Sequence, residues 1–299
     1  MGESHGIRQI AAPLFVFLWS TGFIGAKYGL PYAEPMTFLT LRFALAAAAL
    51  GLWGWMAGEL RDGGPVDPVG AVIVGVLMHA LYLGGVFTAI WLGVGAALTA
   101  LIVGLQPIAT ALLARPMLGE ALRPRQWAGM ALGLGGVALV VGRKLELGAI
   151  DVTSVLLCFL ALISISFASI LQKKRAVTAG LVTDSAIQFA AAGLVTGAAA
   201  MFFEERVIHW TPEFALALGW MVAGLSLGAI SLYYLLLRKG EAAATASLFF
   251  LVPGVTALMA VLVFDEGSGW AELLGVGAAT LGVRLVTQPA QAPLATASR

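Results

Sequence analysis

The chain has 299 residues, of which 60% are apolar and 11% charged, with a formal net charge of +1 and a mean hydropathy of +0.94. Soluble domains carry about 25% charged residues, so an ordinary water-soluble domain is excluded and a membrane protein is expected. So nearly neutral a chain also gives no reason to expect a nucleic-acid partner, and one cysteine, Cys158, excludes a disulfide framework.

The first apolar stretch, 10–29, is too long for a signal peptide and ends in GAKYGL rather than in a small-residue cleavage site. Within it Ser20, Phe23 and Lys27 share one helical face, and Trp19 lies about halfway across. The second stretch, 35–57, carries Arg42 about two turns in. That arginine could hold a substrate carboxylate, snorkel to the outer surface or bond a neighbouring helix. His79 and Tyr82 share a face of the third stretch, 68–91, and Pro107 interrupts the fourth, 95–114. The fifth is 125–142. Ser166, Ser169 and Lys173 form a stripe on the sixth, 152–172, which also holds Cys158, read as a buried small hydrophobe. The seventh, 183–203, is followed by the eighth, 213–237, with Ser226, Tyr233 and Tyr234. Pro253 interrupts the ninth, 243–264, and the tenth spans 269–287. Residues 289–299 read as a disordered tail.

Most of these stretches have about 20 residues, enough at 1.5 Å per residue to span a hydrocarbon core roughly 30 Å thick. Gly/Ala/Leu-rich runs without period-2 alternation satisfy their backbone in lipid as helices rather than barrel strands. The expected fold is therefore an all-α membrane protein with ten transmembrane helices.

Residues 96–140 align with 242–286 at a constant offset of 146, with 16 of 45 positions identical, including Pro107/Pro253, Glu120/Glu266, Gly129/Gly275 and Gly136/Gly282. About a tenth would coincide by chance in such a composition, so the chain is an internal duplication of residues 6–142 and 152–288. Five crossings leave each repeat on the side opposite its start. The two five-helix repeats must then be inverted. Twelve Lys/Arg residues in one set of loops against four in the other place both termini in the cytoplasm.

His5, His79 and His209 show no ligand spacing, so no metal site is expected. The glycine clusters lie inside apolar helices and lack the strand and lysine of a phosphate loop. GxxxG pairs such as Gly129/Gly133 and Gly193/Gly197 instead permit close helix packing. No catalytic grouping falls within the membrane, which argues against an enzyme or a cofactor. The sixteen acidic residues sit in loops or at helix ends, so coupling through a mid-membrane carboxylate is not expected. Glu120 and Glu266 read as gates or as helix caps. Each polar residue at depth could merely bond a neighbouring helix. Taken together, Trp19, Ser20, Phe23, His79, Tyr82, Ser166, Ser169, Tyr233 and Tyr234 are expected to line a substrate cavity, with Pro107 and Pro253 as hinges.

The run LWSTGFIGAKYGL, EP and TFLTLRF, a Pro-containing helix, the Gly119–Glu120 turn and a second copy ending at Pro253 and Glu266 together resemble the EamA-type drug/metabolite transporter superfamily. The resemblance covers nearly the whole chain and is greatest for the YddG-type exporters of aromatic amino acids. It implies that the first, third, fourth, sixth, eighth and ninth helices surround a central cavity, with the fifth and tenth outside. An aromatic and hydroxyl lining with few cations suits an amino acid better than a sugar phosphate. The expected function is inner-membrane amino-acid export by alternating access. A multidrug or metabolite carrier of the same fold, or a non-transporting membrane protein, is the alternative.

Overall fold

Prolines set the starts of several helices, because the first helical N–H has no intrahelical partner and the ring presets φ. The computed structural model describes residues 2–59, 67–118, 123–175, 180–229, 231–232, 251–265 and 269–287. Within them run α1 (Gly2–Gly29), α2 (Pro35–Met56), α3 (Pro68–Trp91), α4 (Ala96–Val103), α5 (Gln106–Leu118), α6 (Pro124–Glu146), α7 (Val152–Arg175), α8 (Leu181–Phe203), α9 (Pro212–Ala229), α10 (Val252–Phe264) and α11 (Trp270–Thr287). Proline occupies the first or second position of α2, α3, α6, α9 and α10. Asp67 and Thr211 complete two of these starts by accepting from Gly70 N–H (2.9 Å) and Phe214 N–H (3.2 Å). Apart from an isolated antiparallel bridge between Ala33 and Ile208, the described elements are all helical.

Among the described residues, seven spans are long and apolar enough to cross a bilayer: α2, α3, Ala96–Leu113, α6, α7, α8 and α9. Trp53, Trp55, Trp91, Trp127, Trp210 and Trp270 are exposed near helix ends, where an interfacial belt would hold them. The fourth stretch is not continuous. Pro107 has no N–H for the Val103 carbonyl, and the chain turns at Gly104–Leu105 before helix resumes at Gln106. A β-carbon on Gly104 would lie 2.4 Å from Pro253 Cγ, so the α4/α5 break packs directly on the start of α10.

Two pairs of helices at matched repeat positions cross antiparallel. Glu204, at the end of α8, accepts from Met36 and Thr37 N–H (both 2.7 Å) at the start of α2. At the opposite end Glu59 accepts from Val182 N–H (3.2 Å), so each helix of the pair has its N-terminal donors met by a carboxylate from the other. Between these clamps Thr40 bonds Thr196 (3.1 Å), and Gly193 and Gly197 let α8 lie against Phe43 and Thr40. The α6/α11 pair is closer still. A β-carbon on Gly282 would fall 2.5 Å from Gly129 O, and one on Gly136 would fall 2.8 Å from Gly275 O. Small residues drive such contacts in lipid because van der Waals fit, rather than water exclusion, holds the helices together.

Gly282→Ala should therefore destabilise the protein by about 1–3 kcal/mol through backbone displacement. Gly277→Ala, facing open space, should leave the unfolding midpoint in detergent unchanged.

Candidate functional site

The site forms where α3 meets α8. A β-carbon on Gly75 would lie 2.4 Å from Gln188 O, and one on Gly85 2.8 Å from Leu157 O, so glycine lets α3 wedge between α8 and α7. Directly after Gly75 the helix widens into a π-helical stretch, Val76–Leu81; α9 does the same over Met221–Ala229. At the 146 offset the first stretch falls on 222–227, inside the second. Such widened turns redirect side chains and recur at functional sites. Here the turn lays His79 on Phe189, with ring centroids 4.3 Å apart and planes at 26°. Phe189 in turn stacks on Phe43, its partner at the 146 offset, at 5.9 Å.

Trp19 and Phe23 of α1, Arg42 of α2, His79 and Tyr82 of α3, Phe189 of α8 and Leu225 of α9 line one cavity of about 50 Å³. Tyr82 reaches Trp19 through a side-chain hydrogen bond. Arg42 is 6% exposed and its Nε donates to Ser226 Oγ at 3.1 Å. It bonds a neighbouring helix, as one of the sequence alternatives had it, and does so from inside the cavity wall.

The other residues expected at the cavity are placed differently. Ser20 is buried with its Oγ directed at the Val252 carbonyl (3.5 Å). Ser166 donates to the Leu162 carbonyl of its own helix (2.7 Å). Ser169 donates to Ile165 O (2.7 Å) and accepts from Gln106 Nε2 (2.8 Å) beside the α4/α5 break. None of these three borders the cavity. Tyr233, Tyr234, Glu120 and Glu266 lie outside the described residues. Pro107 and Pro253 both sit in the first turn of a helical segment. Arg42 was weighed as a possible carboxylate holder but not counted in the expected lining, and Met78, Phe189 and Leu225 were not among the residues singled out for it. For these three the one hint was the match of Phe43 with Phe189 at the 146 offset.

A polar network adjoins the cavity along α8. Gln188 Nε2 donates to Asp184 Oδ2 (2.7 Å), and Asp184, fully buried, receives Arg175 Nη2 at 2.5 Å. Arg175 also reaches Asp67 Oδ2 (3.4 Å) and donates to its carbonyl (2.9 Å), tying the ends of α3, α7 and α8 together. The Gly70 N–H cap, then Arg175, holds the Asp67 carboxyl below the usual carboxylate range. That cap is present above the ordinary carboxylate pKa and is lost as pH falls through the lowered value. Among the described residues no cluster of His, Cys, Asp and Glu could hold a metal ion.

Removing Arg175 would strand a buried carboxylate. Arg175→Ala should cost about 3–5 kcal/mol, read as a lower unfolding midpoint in detergent. Arg175→Ala combined with Asp184→Asn should recover much of that loss.

Among the described residues the assembly is helical, with a small aromatic cavity among helices mostly of membrane-spanning length, the setting in which membrane transporters bind small solutes. The chain belongs to the EamA-like transporter family, whose model matches residues 8–142 and again 152–288. It is 26% identical to the "Uncharacterized inner membrane transporter YedA" of Escherichia coli K12, over 90% of this chain and 87% of that one. A "Probable amino-acid metabolite efflux pump" of the same organism is 26% identical, with 89% and 90% covered. The "Uncharacterized transporter YvbV" of Bacillus subtilis 168 is 24% identical, with 94% and 92% covered. A solved crystal structure shares the fold at a TM-score of 0.65 and 22% identity, over 92% of this chain and 94% of that one.

Proposed function

We propose that this protein exports amino acids, especially aromatic and other apolar ones, across the inner membrane by alternating access. The observation that carries the proposal is the composition of the cavity. Trp19, Phe23, His79, Tyr82 and Phe189 offer ring faces and edges to an apolar side chain, while Arg42 is the single charge in the described wall. A carrier of cationic drugs would want an acidic group there, and a sugar-phosphate carrier several cations. The name of the Escherichia coli amino-acid metabolite efflux pump and the likeness to YddG-type exporters point the same way.

The proposed machinery is a pair of inverted five-helix repeats, residues 6–142 and 152–288, ten crossings in all, with both termini cytoplasmic. The antiparallel crossings of α2 with α8 and of α6 with α11 support the inversion, because each joins helices at matched repeat positions. Pro107 and Pro253 serve as hinges, supported by the helix break at Gly104–Leu105 and by its contact with Pro253. At about 50 Å³ the cavity is well below the ~300 Å³ of small ligand pockets, so substrate entry requires the surrounding helices to part.

Purified protein in liposomes should accelerate the flux of labelled phenylalanine, methionine or threonine, measured with and without a pH gradient. Movement of only a cationic drug or a sugar would overturn the proposal. Tyr82→Ala and His79→Ala should each lower flux by about tenfold or more, the equivalent of 1.4 kcal/mol, with folded yield little changed. Equal loss of folded yield would instead assign these two residues to packing.

A further inference from the structure

Arg42 is an unusual group to find in this wall. The residue is 6% exposed, and its guanidinium makes one hydrogen bond to Ser226 and lies 5.8 Å from the centroid of the Phe43 ring. Among the described residues it forms no ion pair; the described bridges join Lys144 to Glu272 and Arg175 to Asp67 and Asp184. A guanidinium carries five donors in a planar fork, and burying one without a counter-charge is expensive. The cost is offset once an anion enters, and the fork matches a carboxylate in bidentate geometry.

The surroundings decide which anion fits. Trp19, Phe23, His79 and Phe189 flank Arg42 with rings that suit an apolar or aromatic tail once the helices part, and supply no second cation, which a phosphate would call for. Among the described residues the wall likewise holds no carboxylate for an ammonium group. Asp184, the buried acid of α8, is already committed to Arg175 and Gln188.

We infer that Arg42 anchors the substrate by its carboxylate, so that the cavity selects amphipathic carboxylates and the amino group contributes much less. This rests on the amino-acid reading for its substrate class but is separable from it. An amino acid passes because it carries an acid beside an apolar tail; the same tail on an amide or an amine does not.

The test compares phenylalanine, phenylalaninamide, phenethylamine and 3-phenylpropionate as ligands of the detergent-purified protein by tryptophan-fluorescence titration, and as competitors of flux in liposomes. Phenylalanine and 3-phenylpropionate should bind within about tenfold of one another, and the amide and amine at least about tenfold more weakly, the scale of one charge-assisted pair. Arg42→Gln should erase that acid-over-amide preference, and Arg42→Lys should keep part of it, having the charge without the fork. If the wild-type protein takes the amide as well as the acid, or binds none of the acids, the inference is overturned. The same follows if Arg42→Gln retains the full preference. The wild-type ratio needs no variant, so poor folding of Arg42→Gln leaves the test decisive. If 3-phenylpropionate binds through Arg42 while no amino acid is moved, amino-acid export fails and the carboxylate anchor stands.

Discussion

The centre of this protein depends on how closely α3 can approach α8. At Gly75 the two backbones touch, since a β-carbon there would lie 2.4 Å from Gln188 O. That contact fixes the depth of α3, and the π-helical stretch that follows sets its rotation. His79 then lies on Phe189, the residue next to Gln188, rather than on lipid. On the other side of α3, Gly85 rests on Leu157 O, so the helix is held from two directions by its own lack of side chain. A methyl group at Gly75 would push α3 outward and separate the ring pair that forms one wall of the cavity. The polar network on Arg175 fastens the same three helices at one end.

Burial of that network follows from the same closeness. Asp184 has no exposed surface, and a lone carboxylate in such a place would cost several kcal/mol. It is tolerated because Arg175 and Gln188 supply donors at 2.5 and 2.7 Å. Such pairs do little for net stability relative to apolar packing, yet they penalise any arrangement in which the ends of α3, α7 and α8 separate without replacing the bonds. The outer clamp of α2 on α8 through Glu204 works likewise, with three donors on one carboxylate. The α2/α8 pair is thus secured at both ends, while α4, α5 and α10 meet at a helix break and a proline.

Much of the framework could be read from the sequence, because hydropathy and duplication are properties of long segments. The offset of 146 paired Gly129 with Gly275 and Gly136 with Gly282, and these four glycines form the α6/α11 contact. It paired Phe43 with Phe189, which stack. What the sequence did not disclose is rotation and local widening. The stripe of Ser166 and Ser169 was read as cavity lining or as bonding to a neighbouring helix, and both instead donate back to their own helix turns, Ser169 also accepting from Gln106. The π-helical stretches have no compositional mark, yet one of them aims His79. Asp184 looked like an ordinary first-turn acid. Its complete burial is tolerated because of Arg175, nine residues earlier at the end of α7, a contact that no periodicity announces.

The departures from internal symmetry are where chemistry enters. Phe43 and Phe189 preserve the repeat, but the residues just before them do not, since Arg42 stands where the other repeat has Gln188. Of these two matched positions only 42 carries a guanidinium. Gln188 is neutral and donates to Asp184 without adding a charge. The Arg42 guanidinium is bonded by Ser226, a hydroxyl that orients the fork without cancelling its charge. The matched position of Ser226 is Ala80, so the second repeat supplies the orienting group and the first supplies the charge. A cavity lined by residues of both repeats has in this way one electrically distinct wall, and a solute with one acidic end and one apolar end has a single preferred orientation within it.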